Sequence, residues 1–238
     1  MASLPPLKGI SSMATRQVLA ELLSDYRQRT GQQVEIESVG GVDAARRVAA
    51  GEPFDLVILA SDAIDQLVAS GQVVAGSRVD LVDSGVAVAV RAGATRPDIG
   101  TGEAVRRAVL AAPTVGYSTG PSGVALQQLF ERWGIADAVR ARTVQAPPGV
   151  PVGTLVARGD VALGFQQLSE LMHLDGIDVV GPLPDAIQIT TTFSAGICTV
   201  SSQAGAVRKL LESLAAPEAA QAKQRNGMAP AASTRNQQ

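Results

Sequence analysis

The 238-residue chain is 46% hydrophobic and 18% charged, with a net charge of −2, so it is globular and long enough for two modest domains or one large one. The near-neutral balance gives no basic footprint for nucleic acid and no polybasic membrane patch, and 3% aromatics argue against stacking platforms for bases or a large sugar. No run approaches the ~18 apolar residues of a membrane-crossing helix, and the lone Cys198, in "FSAGICTVSS", excludes an intramolecular disulfide or thiolate metal cluster and reads as a buried structural thiol.

The chain opens with "MASLPPLKG", which reads as an artificial start on a trimmed mature chain; if a leader was removed there, the native compartment is extracytoplasmic. Three units of one grammar follow. "LKGIS" is a short strand, and "MATRQVLAELLSDYRQRTG" is a helix with Val18, Leu19, Leu22, Leu23 and Tyr26 on one face. "QVEIESV" alternates as a strand and passes through Gly40 and Gly41 into the helix "VDAARRVAAG". "PFDLVILA" is the near-continuous apolar run of a strand buried on both faces, and "SDAIDQLVASG" is a helix that Ser61 or Asp62 is placed to cap. Strands and helices in alternation predict a parallel α/β sheet.

"DLVDSGVAVAVRAG" breaks the pattern as a long strand-like segment suited to carry the chain into a second lobe. There "PTVGYS" reads as a strand, "GPSGVALQQLFERWG" as a helix with Leu126, Leu129, Phe130 and Trp133 on one face, "VPVGTLVARG" as a short helix, "DVALGF" as a strand and "QQLSELMHL" as another short helix. "DAIQITTTFSAGICTVSS" is a second long strand-like stretch that carries the chain back. The closing "AGAVRKLLESLAAPEAAQAKQRNG" reads as helical until its end, before a frayed polar tail, "MAPAASTRNQQ". The expected division is residues 1–83 plus 193–238 in lobe I and 84–192 in lobe II, with crossings near Asp83 to Gly85 and Thr192 to Ser194 acting as a hinge beside a cleft.

Ligands of open α/β sheets sit at the carboxyl ends of the strands, where helix N-termini offer unpaired N–H groups. Five loops hold that position: Ser11-Ser12-Met13, Gly40-Gly41-Val42, Ser118 to Gly123, Gly149 to Gly153, and Phe165-Gln166. A serine before a helix is most often a cap, but five small, polar, partly glycine-rich loops together predict an anion cradle.

The succession "GISSMATRQVLAELLSDYRQRTG", "GGVDAARRVAAGEPFDLVILASD", "GPSGVALQQLFERWGI" and "GDVALGFQQLSEL" resembles the periplasmic molybdate-binding proteins, type 2 solute-binding proteins of ABC importers. The resemblance runs from about Leu7 to the last helix. Its most specific piece is Arg46 followed by the Gly51-x-Pro53-x-Asp55 turn into a buried strand. It implies a two-lobed type 2 periplasmic-binding-protein fold, each lobe a mostly parallel sheet flanked by helices, closing on an anion held by neutral N–H and hydroxyl donors. It further implies a periplasmic protein, monomeric, without cofactor or metal, that takes a small anionic ligand (carboxylate or oxyanion) to an ABC permease. Molybdate binders usually carry serine in the second loop, where this chain has Gly40-Gly41-Val42, and a tyrosine where it has Gln166. Losing one good hydrogen bond to a charged group costs about 1.5–3 kcal/mol, enough to change the ligand. "SSMATRQ" and "STGPSG" fit better an organic-acid branch of the family that includes the enzyme aconitate isomerase. The expected ligand is therefore a di- or tricarboxylate. The runner-up is isomerisation of trans- to cis-aconitate by a 1,3-proton shift, and the third reading is the oxyanion component of an importer.

The expected ligand-binding residues are Ser11, Ser12, Met13, Arg16, Gly40, Gly41, Val42, Tyr117, Ser118, Ser122, Gly123, Val150 and Gln166. Arg16, one helical turn past Ser12, either reaches a carboxylate bidentately or is a solvated helix residue. Of Arg46 and Arg47, one should face solvent and the other pair with Asp43 or Asp55. Tyr117 is a cleft donor or a core residue, and Thr190 to Thr192 are explained by β-branching alone. "GPSGVAL" lacks the Gly-x-Ser-x-Gly of a nucleophile elbow, which makes serine hydrolysis a poor fit. For an isomerase, Glu37, before the second loop, is the nominated catalytic base, its pKa expected to rise by burial. Ser38, Tyr117 and Gln166 are the other groups nominated within reach of a substrate.

Overall fold

The computed structural model describes residues 5–232. It divides into two compact units, one made of the described residues up to Asp83 and from Thr192 on, the other of Ser84–Thr191. The architecture is mixed α/β, with sheets flanked by helices.

The first unit begins with β1 (Leu7–Ser12), a short 3-10 turn and α1 (Arg16–Thr30), then β2 (Val34–Val39), α2 (Gly41–Ala49), β3 (Leu56–Ala60) and α3 (Ser61–Ala69). β1 lies between β2 and β3, parallel to both, with Ser11 opposite Ser38 and Ile58. Close strand packing explains Gly9. A methyl group there would fall 2.5 Å from Ile36 and 2.8 Å from Leu56. Every residue of β3 is buried, as its unbroken apolar run predicts. Neither Ser61 nor Asp62 caps α3 as expected. The cap position falls on Ala60, and Asp62 sits inside the first turn, accepting from the Ala63 N–H at 2.9 Å. Asp55, at the mouth of β3, accepts from the Lys8 N–H at 2.9 Å and the Ser201 hydroxyl at 2.6 Å, which pins the ends of three chain segments together.

β4 (Val79–Arg91) runs on into the second unit. There follow α4 (Gly102–Ala111), β5 (Val115–Tyr117), α5 (Pro121–Arg132), α6 (Ala136–Val139), β6 (Thr143–Gln145), α7 (Val152–Arg158), β7 (Leu163–Gln167), α8 (Leu168–Leu171) and β8 (Ile177–Pro182). The strand order is β4-β7-β5-β6, with β8 also beside β4. β5 is parallel to β6 and β7, whereas β4 is antiparallel to β7 and β8. Val86, Val88, Val105, Val109, Leu126, Phe130, Leu163 and Phe165 form its core.

The chain returns through β9 (Thr190–Ile197), α9 (Ala204–Ala215), α10 (Ala220–Arg225) and β10 (Met228–Pro230). The return strand is shorter than expected. Asp185–Ile187 forms a 3-10 turn, and the Gln188 side chain then takes the N–H groups of Val86 and Ile189, each at 2.9 Å. From there β9 joins β3 antiparallel, and Thr192 and Ser194 donate to Asp83 and Asp80, both at 2.6 Å. Cys198 is buried past the strand end, where its N–H bonds the Asp55 carbonyl at 3.0 Å. Burial, assisted by the Asp55 charge, pushes its thiol up to about 12. The closing helix is also not continuous: Ala216 is extended ahead of Pro217, so α9 and α10 are separate. Met228–Pro230, expected to fray, pairs with β4, and residues 233–238 of that tail lie outside the described residues. No described helix is long and apolar enough to cross a membrane.

A methyl group at Gly123 would lie 1.9 Å from the Ser118 carbonyl oxygen, a backbone atom with nowhere to go. At the exposed Gly205 of α9 a methyl group meets nothing within 4 Å. Gly123→Ala should therefore destabilise by about 1–3 kcal/mol or more, and Gly205→Ala should be neutral or stabilising by a few tenths. Thermal melts of the two variants check the contrast.

Candidate functional site

In the first unit the parallel register brings two of the expected loops side by side. The Ser11 hydroxyl is fully buried and shares a hydrogen bond of 2.8 Å with the Ser38 hydroxyl. Ser12 caps the 3-10 turn through Met13–Thr15, accepting from the Ala14 N–H at 3.4 Å, while its carbonyl takes the Thr15 hydroxyl at 2.9 Å. Gly41 lies next to it: a methyl group there would be 3.8 Å from the Ser12 hydroxyl. Gly40 and Gly41 open α2 with no side-chain cap, and Val42 in its first turn is 72% exposed. The result is a cluster of hydroxyls beside the bare N–H groups of a helix start. It is uncharged and suited to an anion. Met13 is half-buried in its turn. Arg16, exposed at the start of α1, lines a groove of about 600 Å³ with Leu19, Leu23, Ile36 and Ser38.

Glu37 does not have the surroundings expected of a buried base. It is exposed, and Arg47 grips both carboxylate oxygens at 2.6 and 3.0 Å, which holds its carboxyl below the usual range. Arg47 also binds Glu52 at 2.8 Å and lies over the Phe54 ring at 5.2 Å from its centroid. The expected pairing with Asp43 is made by Arg46, at the surface, but Arg47 does not face solvent: it is largely covered and pairs with Glu37 and Glu52, while Asp55 takes neutral donors.

In the second unit two of the expected loops follow β5 and β6, whereas Phe165-Gln166, expected as a loop, is part of the buried strand β7. Ser118 and the buried Ser122 share a hydrogen bond of 3.2 Å across the tight turn that Gly123 permits. Tyr117 is a core residue whose hydroxyl accepts from the Gln127 amide at 2.7 Å. Val150 packs on the apolar cluster around Ala146 and Val152. Gln166 is 3% exposed, and its side-chain carbonyl accepts from the Gly153 N–H at 3.3 Å, tying the start of α7 to β7.

Glu170 was not anticipated from the sequence. It lies in α8, just past the end of β7, and is partly buried; burial pushes its carboxyl up to about 7. The signal available was a lone carboxylate inside the apolar "GFQQLSELM".

The sequence profile of the bacterial extracellular solute-binding proteins matches residues 7–229. An aconitate isomerase from a Pseudomonas species is 40% identical over 227 residues, which cover 93% of this chain and 86% of that one. Among solved structures, the periplasmic molybdate-binding protein of Azotobacter vinelandii superposes with a TM-score of 0.77 at 20% identity, covering 93% of this chain and 98% of that one. The sulfate-binding protein of Mycobacterium tuberculosis H37Rv gives 0.77 at 16% identity, covering 96% and 88%. At these identities the two structures establish the fold alone.

The Glu37–Arg47 contact carries a definite expectation. Its stabilisation is present above the ordinary carboxylate range and is lost as pH falls through the lowered Glu37 value. Arg47→Met should return Glu37 to an ordinary titration, followed by NMR of its side-chain carbon, and should flatten the acid limb of thermal stability. A Glu37 titration unaltered in that variant would show that the ion pair does not set it.

Proposed function

The chain belongs to the bacterial extracellular solute-binding protein family, and on that premise we propose that it captures a small organic di- or tricarboxylate, with trans-aconitate the foremost candidate. The observation that carries the reading is the 40% identity to an aconitate isomerase along 93% of the chain. Two features support it. The second loop is Gly40-Gly41-Val42, without a side-chain hydroxyl, so a compact tetrahedral oxyanion finds fewer donors there. The hydroxyls and N–H groups at Ser11 and Ser12 in the first unit, and at Ser118 and Ser122 in the second, are donors suited to carboxylates. In this reading the loaded protein delivers its ligand to an ABC permease from outside the cytoplasm.

The same relative favours a second reading, that the bound acid is also isomerised. The methylene of aconitate loses a proton, its electron pair spreads over the three-carbon allyl unit, and the proton returns at the other terminal carbon. Atoms and charge balance without an oxidant or reductant. The uncharged donors of the loops would stabilise the charge that develops on the carboxylates. Glu37, held by Arg47, is a weak candidate for the base.

A thermal-shift panel of trans-aconitate, cis-aconitate, citrate, tricarballylate, molybdate, sulfate and phosphate tests the first reading. A polycarboxylate at a hundred times its dissociation constant should stabilise by ~2.7 kcal/mol, with molybdate weak. Nanomolar molybdate affinity by calorimetry would overturn it. Incubation with trans-aconitate in deuterated water tests the second: cis-aconitate should appear, and tight binding without conversion leaves capture alone. Glu37→Gln should leave conversion intact.

A further inference from the structure

β2 ends its sheet. It pairs with β1 on one side, and among the described residues no strand lies on the other. Backbone N–H and C=O groups of alternate residues therefore point away from the sheet, ready to pair with another chain. Such edges are often blunted by charge on the strand itself. In β2 the charges fall on one face only. Glu35 and Glu37 alternate with Val34, Ile36 and Ser38, and Arg47 of α2 holds Glu37. The face of Val34, Ile36 and Ser38 looks onto α1.

Helix and strand do not close fully on each other. Between them runs the groove of about 600 Å³ that Arg16 lines. Leu23, Val34 and Ile36 are half-buried, each packed on the core while also lining the groove. The helix wall carries Arg16 and Arg27, both exposed. They lie about three turns apart on one face of α1, about 16 Å along its axis. Among the described residues neither makes an ion pair, and no acidic side chain lines the groove. Two unanswered cations flanking an apolar floor, beside an open strand edge, are complementary to an acidic extended chain.

We propose that this groove receives an extended segment of a partner protein, which adds to β2 as a further strand and brings two acidic side chains to Arg16 and Arg27. Spacing sets the pattern. Residues four apart on a strand share a face and lie about 13 Å apart, within reach of two long arginine side chains. The segment therefore reads acid-x-apolar-x-acid, with its middle side chain over Leu23 and Ile36. Main-chain bonds to β2 supply affinity, and the arginines and apolar floor select among strands. A second copy of this chain is a poorer occupant. Pairing β2 with its own copy sets Glu35 and Glu37 among the same two residues of the partner, and like charges directly opposite are destabilising. It also leaves those acids on the face away from α1. Carboxylate capture by the loops does not depend on this surface, so either reading can fail without the other.

The probe is a capped heptapeptide with aspartate at its second and sixth positions, leucine at the fourth, and valine or threonine elsewhere. Binding of the labelled peptide to the full chain is followed by fluorescence anisotropy. At low salt it should bind at least about tenfold more tightly than the same peptide with lysine at both acidic positions. The gap should narrow as salt screens the arginines. Arg27→Glu should weaken the acidic peptide by about tenfold and favour the lysine peptide. N-methylation of alternate peptide residues removes the donors of one strand edge at a time. One methylated set should lose binding and the other should keep it, because only one edge meets β2. The peptide comparisons are made on the wild type, so a variant that fails to fold leaves the test in force. Equal binding of acidic and lysine peptides, or none by the acidic one, would overturn the proposal. Equal tolerance of both methylated sets would overturn the strand addition. A dimer seen by sedimentation and dissolved by Arg27→Glu would give the groove to a second copy instead.

Discussion

The parallel pairing of β1 with β2 and β3, and of β5 with β6 and β7, is the constraint on which the arrangement of loops depends. Parallel neighbours cannot be joined by a hairpin, so each must return through a helix, and within each unit the parallel strands finish at one edge. That alone sets Ser11 beside Ser38, and Tyr117 on the same edge as Gln166. Register then decides which atoms meet. A slip of one residue would turn the Ser11 hydroxyl to the opposite face of the sheet and break its 2.8 Å bond to Ser38.

The polar groups so gathered have partners within the protein. Ser11 bonds Ser38, Ser118 bonds Ser122, and the Gln166 carbonyl takes the Gly153 N–H. In the proposed reading a ligand at either cluster competes with these internal hydrogen bonds as well as with water, and only the net difference contributes to affinity. Hydroxyls can rotate to a new acceptor without moving the backbone, whereas the oxygen of the Gln166 amide is already committed to Gly153. The charged groups close by are neutralised elsewhere, Arg47 by Glu37 and Glu52 and Arg46 by Asp43, so donors in the first unit are mainly neutral.

Much of this was legible in the sequence where periodicity is strong. The face of Val18, Leu19, Leu22 and Tyr26 gave α1, and the apolar run gave β3. The family resemblance led to the α/β fold with matching solute-binding relatives. α4 was missed, because "RAGATRPDIGTG" reads as a long loop that hides the Thr101 cap, whose hydroxyl accepts from Ala104 at 3.1 Å. β8 was missed because its "VVGP" ends like a turn, and β9 was drawn too long because a side chain, Gln188, replaces the strand ladder at its start. The loop clusters within each unit were readable from strand ends. The surroundings of the carboxylates were not: Arg47 lies ten residues from Glu37, and the burial of Glu170 depends on how α8 packs on β7 and β8. Tertiary contacts set those pKa values, and no local pattern reports them.

The seclusion of Cys198 gives the molecule a chemical memory. With one thiol per chain, no internal bridge can form, correct or mistaken. While the fold holds, the sulfur is enclosed, and its proton is held far above neutral pH, so it has neither the access nor the thiolate needed to attack another sulfur. Two copies can be joined covalently only after both have come open. In an oxidising medium, the fraction of disulfide-linked dimers in an aged preparation therefore counts the molecules that have lost their structure, however completely the remainder has refolded.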